Sequence, residues 1–311
     1  MNTPNTSPRV LVVGASGALG QPVIRQLLAR GVAVRGLCRH PEAAAALAAA
    51  GAEIVAGDLT DRASLERALA GVTRVLAAAH GLLGRGRWRS EAVDDAGHRD
   101  LIAAARAAGV DRFVYVSALM ATPDHPIDFA RTKHGIEQAL AASGLPHAVL
   151  RPTAFMEHHV HRFNGLNVLA KGKAQLIGPG TKQRNFVAAA DVAQFAVHAL
   201  LDEPLPFTQL EVGGPDHASN GEVAALYARL AGKPLKVSHL PAGVARALSA
   251  LARPLHPGVA RLLHLTSLPD SAFSETWQGG AELEARFGIR LTRLEEFVAA
   301  QVRAHGAAPS A

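Results

Sequence analysis

Short apolar runs rich in β-branched residues alternate with longer segments of helical periodicity through the first two-thirds of the chain. The longer segments commonly end in glycine, which is typical of helix C-termini. Strands that alternate with helices predict a parallel sheet covered by helices on both faces. The sequence therefore predicts an α/β fold with a Rossmann-type, doubly wound parallel sheet. The six predicted strands of this region are RVLVVGA, VAVRGLCR, AEIVAGD, VTRVLAAA, DRFVYVSA and PHAVLRP.

The alternation breaks after Pro152, where two segments lack clear periodicity and are predicted to be loop-rich. Further helical and strand-like segments follow them. We expect a larger domain of residues 1–155 with roughly 185–213, and a smaller C-terminal α/β domain of roughly 156–184 and 214–305. The two segments predicted to be loop-rich are TAFMEHHVHRFNGLNVLAKGK and QLIGPGTKQRNF.

Composition narrows the class of protein. Of the 311 residues, 49% are hydrophobic and 19% are charged, which is typical of a globular chain. No apolar run approaches the roughly 18 residues that span a bilayer. The segment MNTPNTSPRV lacks the features of a secretory signal, and the single cysteine, Cys38, fits a reducing compartment. We therefore expect a cytoplasmic protein without membrane insertion.

The charge balance bears on the ligand. A formal net charge of +6 suits an anionic small molecule such as a nucleotide. Lysine and arginine are scattered along the chain and form no nucleic-acid-binding motif, so no nucleic acid partner is expected. The oligomeric state is left open.

The segment GASGALG directly follows the first predicted strand and opens a helix. In a dinucleotide-binding loop the first glycine permits the tight turn, the second lets the backbone approach the pyrophosphate, and the third packs the helix against the strand. The helix N-terminus then offers free N–H groups and a positive dipole end to the phosphates. The predicted phosphate-loop residues are Gly14, Ser16, Gly17, Ala18, Leu19 and Gly20.

The end of the second strand bears on which nicotinamide dinucleotide would bind. A carboxylate here would hold the ribose 2′-hydroxyl of NAD, whereas an arginine would meet the 2′-phosphate of NADP. No acidic residue occurs between Gly20 and Glu42, and Arg39 lies at the predicted strand end. Arg35 is a weaker second candidate. We therefore favour NADP(H) over NAD(H), because the guanidinium fork suits a phosphate.

The phosphate loop is followed in order by LCRHPE, AGDLTD, AGVDRFVYVSAL, TKHGIEQALAASGLPHAVLRPTAFME and FVAAADVAQ. This series resembles the NmrA-like, NAD(P)H-binding group of the atypical short-chain dehydrogenases/reductases. The resemblance implies that the larger domain binds the cofactor and the smaller one the substrate. It implies that Asp58 meets the adenine amino group with Leu59 against the ring, and that Lys133 binds the nicotinamide ribose. The other residues it implies beside the cofactor are Ala78, Ala79, His80, Ser117, Pro152, Thr153 and Phe155.

The chain departs from this group at the position that donates a proton. Reducing members commonly use Tyr-x-x-x-Lys with a serine, the tyrosine acting as the acid. Here Phe129 stands four residues before Lys133, and phenylalanine has no proton to donate. Ser117 precedes Ala118 and Leu119, where the catalytic serine usually falls. Lys133 is kept as a candidate catalytic residue, and Phe129 becomes a candidate pocket wall.

The segment MEHHVHRF contributes further candidates. His158 and His161 would share a helical face, but no acid or cysteine at ligand spacing completes a site, so no metal is predicted. His158, His159, His161 and His80 are candidate proton donors, because histidine titrates near neutral pH. The alternative is that they line a pocket or lie at the surface. The predicted substrate-pocket residues are Phe129, Met156, His158 and His159.

The loop after the fourth strand carries an unusual alternation of Arg85, Arg87 and Arg89 with Gly86 and Trp88. One interpretation is a clasp for an anionic substrate or partner, with Trp88 stacking on it. The other is an ordinary solvated loop.

These observations favour an oxidoreductase that transfers a hydride from NADPH to a quinone-like or activated carbonyl compound without the usual tyrosine. The alternative is a non-catalytic NADP(H)-sensing regulatory protein, which the loss of the tyrosine favours. An isomerase of the same fold is a third possibility, and the loss of the tyrosine counts against it. Fold alone does not decide among them.

Overall fold

The computed structural model describes residues 8–268 and 276–307. The first seven residues, part of the segment interpreted above as lacking a secretory signal, lie outside the described residues. The chain divides into two compact units. Unit 1 comprises the chain up to Arg151 together with Val192–Leu210, and unit 2 comprises Pro152–Asp191 and the chain from Glu211 onward.

Unit 1 is built on a seven-stranded sheet with the order β10-β6-β5-β4-β1-β2-β3. Neighbouring strands from β3 to β6 pair in parallel. The strand order reverses between β1 and β4, which is where doubly wound sheets bind ligands. The predicted Rossmann-type parallel sheet is thereby confirmed. Its strands are β1 (Arg9–Val13), β2 (Ala33–Cys38), β3 (Glu53–Ala56), β4 (Arg74–Ala77), β5 (Arg112–Val116), β6 (His147–Pro152) and β10 (Gln209–Val212).

Helices flank this sheet because each connecting segment has an apolar face that must be buried. Helix α3 begins where the Asp61 side chain accepts a hydrogen bond from Ser64 N at 3.3 Å. Helix α4 continues a wider, π-wound segment, Glu91–Gly97. The helices are α1 (Gly20–Ala29), α2 (Ala45–Ala49), α3 (Arg62–Leu69), α4 (His98–Ala107), α5 (Asp128–Ala142) and α7 (Ala189–Leu201), with short 3₁₀ turns at Pro41–Ala44 and Gly86–Trp88.

One hydrophobic core of unit 1 lies between the sheet and helices α3, α4 and α5. Leu65, Leu101 and Ile136 come from these three helices and are fully buried. Phe113 and Tyr115 face them from the central strand β5 and are also fully buried. Burial of this size holds the carboxyl ends of β1, β4 and β5 in fixed positions.

Unit 2 contains a three-stranded sheet with the order β11-β9-β7 and a parallel β8–β12 pair. Helix α8 begins with a capping box in which Ser219 and Glu222 satisfy each other's backbone N–H groups. The strands are β7 (Ala154–Phe155), β8 (Lys173–Ile177), β9 (Arg184–Val187), β11 (His217–Ala218) and β12 (Lys236–Leu240). The helices are α6 (Leu166–Lys171), α8 (Asn220–Ala231), α9 (Ala242–Ala252), α10 (Pro257–Ser267), α11 (Gly280–Phe287) and α12 (Leu294–Ala307).

The prediction of loop after Pro152 was wrong. A π-wound helix covers Met156–Gly165 and runs into α6, and strands β8 and β9 follow. The buried positions Met156, Val160 and Asn164 recur every four residues. That spacing also fits an ordinary helical face, but the histidines and arginine between these positions gave the segment a loop-like composition.

No helix within residues 8–268 and 276–307 combines the length and apolar character needed to cross a bilayer.

Candidate functional site

The loop between β1 and α1 is compact for reasons internal to the chain. Gly14 has φ +93°, which strongly favours glycine, and a Cβ there would lie 2.9 Å from Ala79 N. A Cβ on Gly20 would lie 2.2 Å from Gly14 O, so the start of α1 packs directly on the turn. The fold itself therefore requires the first and third glycines of the predicted phosphate loop.

The middle glycine is different. Gly17 is exposed, and an added Cβ would meet only Gly14 O, at 3.2 Å. Ser16 and Ala18 are partly exposed beside it, and Leu19 is buried. The next residues open α1, where Gln21 N donates to Gly17 O and Val23 N to Leu19 O, each at 3.2 Å, and Pro22 has no N–H. An open glycine at a helix N-terminus is the cradle that a pyrophosphate needs, so this loop fits a dinucleotide.

Asp58 follows β3 and is held by several donors. Its Oδ1 accepts hydrogen bonds from Thr60 N at 2.9 Å and Thr60 Oγ1 at 3.0 Å. Its Oδ2 accepts one from Trp88 Nε1 at 2.6 Å. Burial raises the pKa of Asp58, but these hydrogen bonds and the charge of Arg39 outweigh it and lower the pKa below its usual range. Asp58 is therefore an ionised acceptor at neutral pH. The adjacent Leu59 packs in the hydrophobic core.

The two arginines of the second strand have different environments. Arg39 is exposed, and its guanidinium lies over the Trp88 ring at 5.2 Å from the centroid. Arg35 is buried and donates to the carbonyls of Ala68 and Ala70 at 2.7 and 2.8 Å. The weaker proposal of Arg35 as a phosphate ligand was therefore wrong, because its donors bind carbonyls in the last turn of α3 and just after it.

The carboxyl end of β4 is fastened by an acid that sequence reasoning missed. Ala78 N donates to Val13 O at 3.0 Å, and Ala79 approaches Gly14. Two residues on, Gly81 N lies 3.0 and 3.1 Å from the two carboxylate oxygens of Asp94. Asp94 is fully buried and also accepts from Ser90 Oγ at 2.6 Å.

The pattern around Asp94 contained a usable indication. Asp94, His98, Leu101 and Ala105 follow a helical spacing, and all four are buried. An acid on the apolar face of a helix predicts a buried carboxylate with specific partners.

Lys133 lies on α5 at the carboxyl end of β5. It is 3% exposed, and its Nζ donates to Val116 O at 2.9 Å. Its Nζ also lies 4.8 Å from the centroid of the Tyr115 ring and 5.5 Å from that of the Phe129 ring. Burial lowers the pKa of Lys133, and the negative charges of Asp94 and Glu137 act against that shift. The helical spacing of Phe129 and Lys133 places them together, as predicted.

Ser117 immediately follows β5 beside this lysine. Its backbone N donates to Leu150 O at 2.7 Å, which fixes the residue at the strand end. Its Oγ is buried and has no hydrogen-bond partner among the described residues. A buried hydroxyl without a partner at this edge of the sheet fits a polar ligand such as a ribose or a carboxamide.

His98 and Tyr115 form a buried aromatic pair beneath Lys133, with ring centroids 5.3 Å apart. His98 Nδ1 lies 2.9 Å from Val93 O, and since a carbonyl only accepts, the ring proton is on Nδ1. Burial lowers the pKa of His98 to about 4, assisted by the positive charge of Lys133. Burial also raises the pKa of Tyr115 well above its usual value. Both rings are therefore neutral at pH 7.

His80 is exposed after β4, and its ring meets the edge of Phe129 at a centroid distance of 6.3 Å. Unit 1 therefore places Phe129 between a titratable imidazole and a buried ammonium group. Phe129 itself is partly exposed.

The residues predicted from unit 2 have separate surroundings. Thr153 Oγ1 donates to Asn185 Oδ1 at 3.0 Å, and Met156 is fully buried in the unit 2 core. His161 Nδ1 lies 3.0 Å from Tyr227 Oη, whereas His159 packs edge-on against Phe163. The remaining predicted residues are Pro152, which is buried, and Phe155 and His158, which are partly buried.

The histidine cluster does not form a metal site within the described residues, where no group of three or more potential ligands is found. In a π-wound helix, residues three apart no longer lie over one another, so His158 and His161 do not share one helical face. Burial lowers the pKa of both histidines, with Arg162 adding to the effect at His158 and His305 at His161.

Several known proteins are similar to this chain in sequence or structure. The NAD(P)H azoreductase of Xenophilus azovorans is 29% identical over 228 residues, which cover 73% of this chain and 75% of that protein. The photosystem II assembly factor Ycf39 of Synechocystis sp. is 30% identical over 246 residues, covering 79% and 74%. The NADPH complex of the NADPH-dependent quinone oxidoreductase QOR2 from Escherichia coli superposes with a TM-score of 0.73 at 26% identity, covering 94% of this chain and 99% of that one.

The sequence model of a single protein family matches residues 6–298, almost the entire chain. The match therefore includes both the phosphate loop of unit 1 and most of unit 2. The chain belongs to the NmrA-like family.

Proposed function

We propose that this protein is an NADPH-dependent reductase that delivers a hydride to an electron-poor conjugated acceptor, such as a quinone or activated carbonyl compound, without a tyrosine acid. The observation that carries the proposal is the pair of Phe129 and Lys133. The lysine is buried and anchored on Val116 O, while the ring at the usual tyrosine position has no hydroxyl. Lys133, which is retained, would bind and orient the cofactor. The tyrosine that would donate a proton is replaced by Phe129.

The residues that would hold the cofactor lie along one edge of the sheet. The open turn at Gly17 would take the pyrophosphate at the start of α1. Asp58 would accept the adenine amino group, and Arg39, which is exposed at the end of β2, would meet a 2′-phosphate. Lys133 and the unpartnered Ser117 hydroxyl would hold the nicotinamide ribose end.

The proposed class of acceptor follows from the absence of an acid at position 129. Bound NADPH supplies the hydride. Phe129 contributes an apolar wall, and without an acid there an ordinary ketone would develop an oxyanion with little stabilisation. A quinone accepts a hydride to give a delocalised anion, which takes its proton from water or from His80, so that one quinone, one NADPH and one proton give a hydroquinone and NADP⁺. The azoreductase and quinone oxidoreductase activities of two relatives support this class of acceptor.

The test is NADPH oxidation at 340 nm with menadione, a benzoquinone and an azo dye, and with cyclohexanone as the ordinary ketone. We expect turnover with the conjugated acceptors and none with the ketone. Lys133→Ala should lower kcat/KM by at least tenfold, because it removes a buried anchor for the ribose. The matched control is Lys171→Ala, which removes an exposed lysine at the end of α6 and should retain wild-type rates.

The second candidate function is a non-catalytic NADP(H) sensor, favoured by the phenylalanine at position 129 and by the similarity to an assembly factor. A sensor would bind NADPH with micromolar or tighter affinity and show no turnover with any acceptor of the panel. That result would reject the reductase and leave the cofactor assignment standing.

A further inference from the structure

Trp88 engages both side chains to which the proposed function assigns the adenosine end of NADPH. Its indole Nε1 donates to Asp58 Oδ2 at 2.6 Å. The Arg39 guanidinium lies 5.2 Å from its ring centroid, and that of Arg87 lies 4.7 Å away. One side chain thus covers the carboxylate proposed for adenine and the guanidinium proposed for the 2′-phosphate.

The loop that carries Trp88 is built to fold back in this way. A Cβ on Gly84 would lie 1.8 Å from Trp88 O, so only a glycine lets the backbone at position 84 come this close to that of Trp88. Gly86 has φ +58° and starts the 3₁₀ turn that ends at Trp88. Trp88 is still 36% exposed, so the ring can leave its place without opening a core.

The hydrogen-bonding capacity of Asp58 brings indole and adenine into competition. A carboxylate offers about four acceptor positions. Thr60 occupies two of them on Oδ1, and Trp88 with the Arg87 guanidinium, 3.6 Å away, lies at Oδ2. An adenine amino group directed at Oδ2 would therefore meet the indole N–H and the Arg87 guanidinium and compete with them for this oxygen. An adenine ring stacked on the Arg39 guanidinium would likewise take the place of the indole, whereas a phosphate would bind the in-plane N–H groups that stacking leaves available.

We propose that Trp88 occupies the position of the adenine ring and competes with an adenosine 2′-phosphate for Asp58 and Arg39. The indole must leave both side chains before that end of the dinucleotide can bind. This inference rests on the proposed NADP(H)-binding function. It gives the Arg85–Arg89 segment a role in setting cofactor affinity. Because a ligand shifts an equilibrium only by its differential affinity, the bound indole weakens every adenosine ligand by a constant factor.

The proposal predicts that removing the competitor tightens binding. The probe is 2′,5′-ADP, which has the adenosine and both phosphates but no nicotinamide, titrated by calorimetry. Trp88→Ala should bind it about tenfold more tightly than the wild type, because a hydrogen bond to a carboxylate and a cation–π contact no longer oppose the ligand. Trp88→Phe keeps an aromatic face for Arg39 but has no N–H, so its affinity should lie between the two.

Fluorescence gives a second readout that does not depend on affinity. The chain has two tryptophans, Trp88 and Trp277. In Trp277→Phe, Trp88 is the sole tryptophan, and its emission should shift to longer wavelength on addition of 2′,5′-ADP as the ring moves into water. Nicotinamide mononucleotide has no adenosine and should leave the emission unchanged.

The binding measurements distinguish failure of this inference from failure of the proposed function. An unchanged or weaker affinity of Trp88→Ala for 2′,5′-ADP overturns the inference, and a weaker one would make Trp88 a stacking platform for the base. In that case the wild type still binds NADPH, and the proposed function stands. Failure of the wild type and of every variant to bind either 2′,5′-ADP or NADPH, with circular dichroism showing folded protein, overturns the proposed function and this inference together.

Discussion

Lowering the pH from 7 towards 4 should destabilise the protein through His98. Burial is the main cause that lowers the pKa of this histidine from 6.5 to about 4, and the charge of Lys133 acts in the same direction against a smaller opposing effect of Asp94. At pH 5 the unfolded chain binds a proton here and the folded chain does not. Because the unfolded state then holds more protons, stability falls as the pH drops below 6.5 and levels off near 4.

The size of the effect follows from the two pKa values. The interval between 6.5 and about 4 corresponds to about 3 kcal/mol, at about 1.4 kcal/mol for each pH unit. The whole free energy of unfolding of a typical domain is only about 5–15 kcal/mol. A single buried imidazole therefore accounts for a measurable part of the acid sensitivity.

The assay is urea unfolding followed by circular dichroism at several pH values between 4 and 7. His98→Gln cannot take up a proton, so it should lose about 3 kcal/mol less than the wild type over this range, even if it is less stable at pH 7. The matched control is His40→Gln, which removes an exposed histidine and should keep the wild-type dependence. Equal pH dependence of the wild type and His98→Gln would refute the reasoning.

Three further substitutions test the site and the packing. Phe129→Tyr should create reduction of the ordinary ketone cyclohexanone without changing NADPH affinity, since it restores the acid one helical turn from the lysine; measured activity no higher than that of the wild type would show that more than a hydroxyl is missing. Gly165→Ala should lower stability by about 1–3 kcal/mol, because its Cβ would lie 2.3 Å from the Tyr227 ring. Gly135→Ala in α5 meets only the Arg99 guanidinium at 3.7 Å and should instead raise stability by up to about 1 kcal/mol, both measured by thermal or urea unfolding.

Patterns among residues close together in the sequence predicted the strands, the glycine-rich turn and the pairing of Phe129 with Lys133. The β-branched runs that became β1, β2 and β5 are recognisable because buried parallel strands need continuous apolar residues. The close packing at Gly20 was predictable because it involves Gly14 and Ala15, which are neighbours along the chain, whereas Gly14 is also restricted by Ala79 after β4. The pairing of Phe129 with Lys133 needed only the period of an α-helix.

Other features were outside the reach of such patterns. The helix from Met156 to Gly165 was missed because polar residues, among them three histidines, surround its few buried apolar positions. Arg35 and Arg39 have the same chemistry in sequence, and only the fold buries one against the end of α3 and exposes the other.

The sequence alone determined that a parallel sheet forms with a glycine-rich turn after its first strand, and that phenylalanine rather than tyrosine stands four residues before Lys133. The tertiary structure decided which polar groups meet. Asp94 supports the end of β4 across 13 residues, and Trp88 reaches Asp58 across 30. Neither contact follows from periodicity. The first joins the end of β4 to the π-wound segment that follows it, and the second joins the segments after β3 and β4, which are separated by two other strands in the sheet.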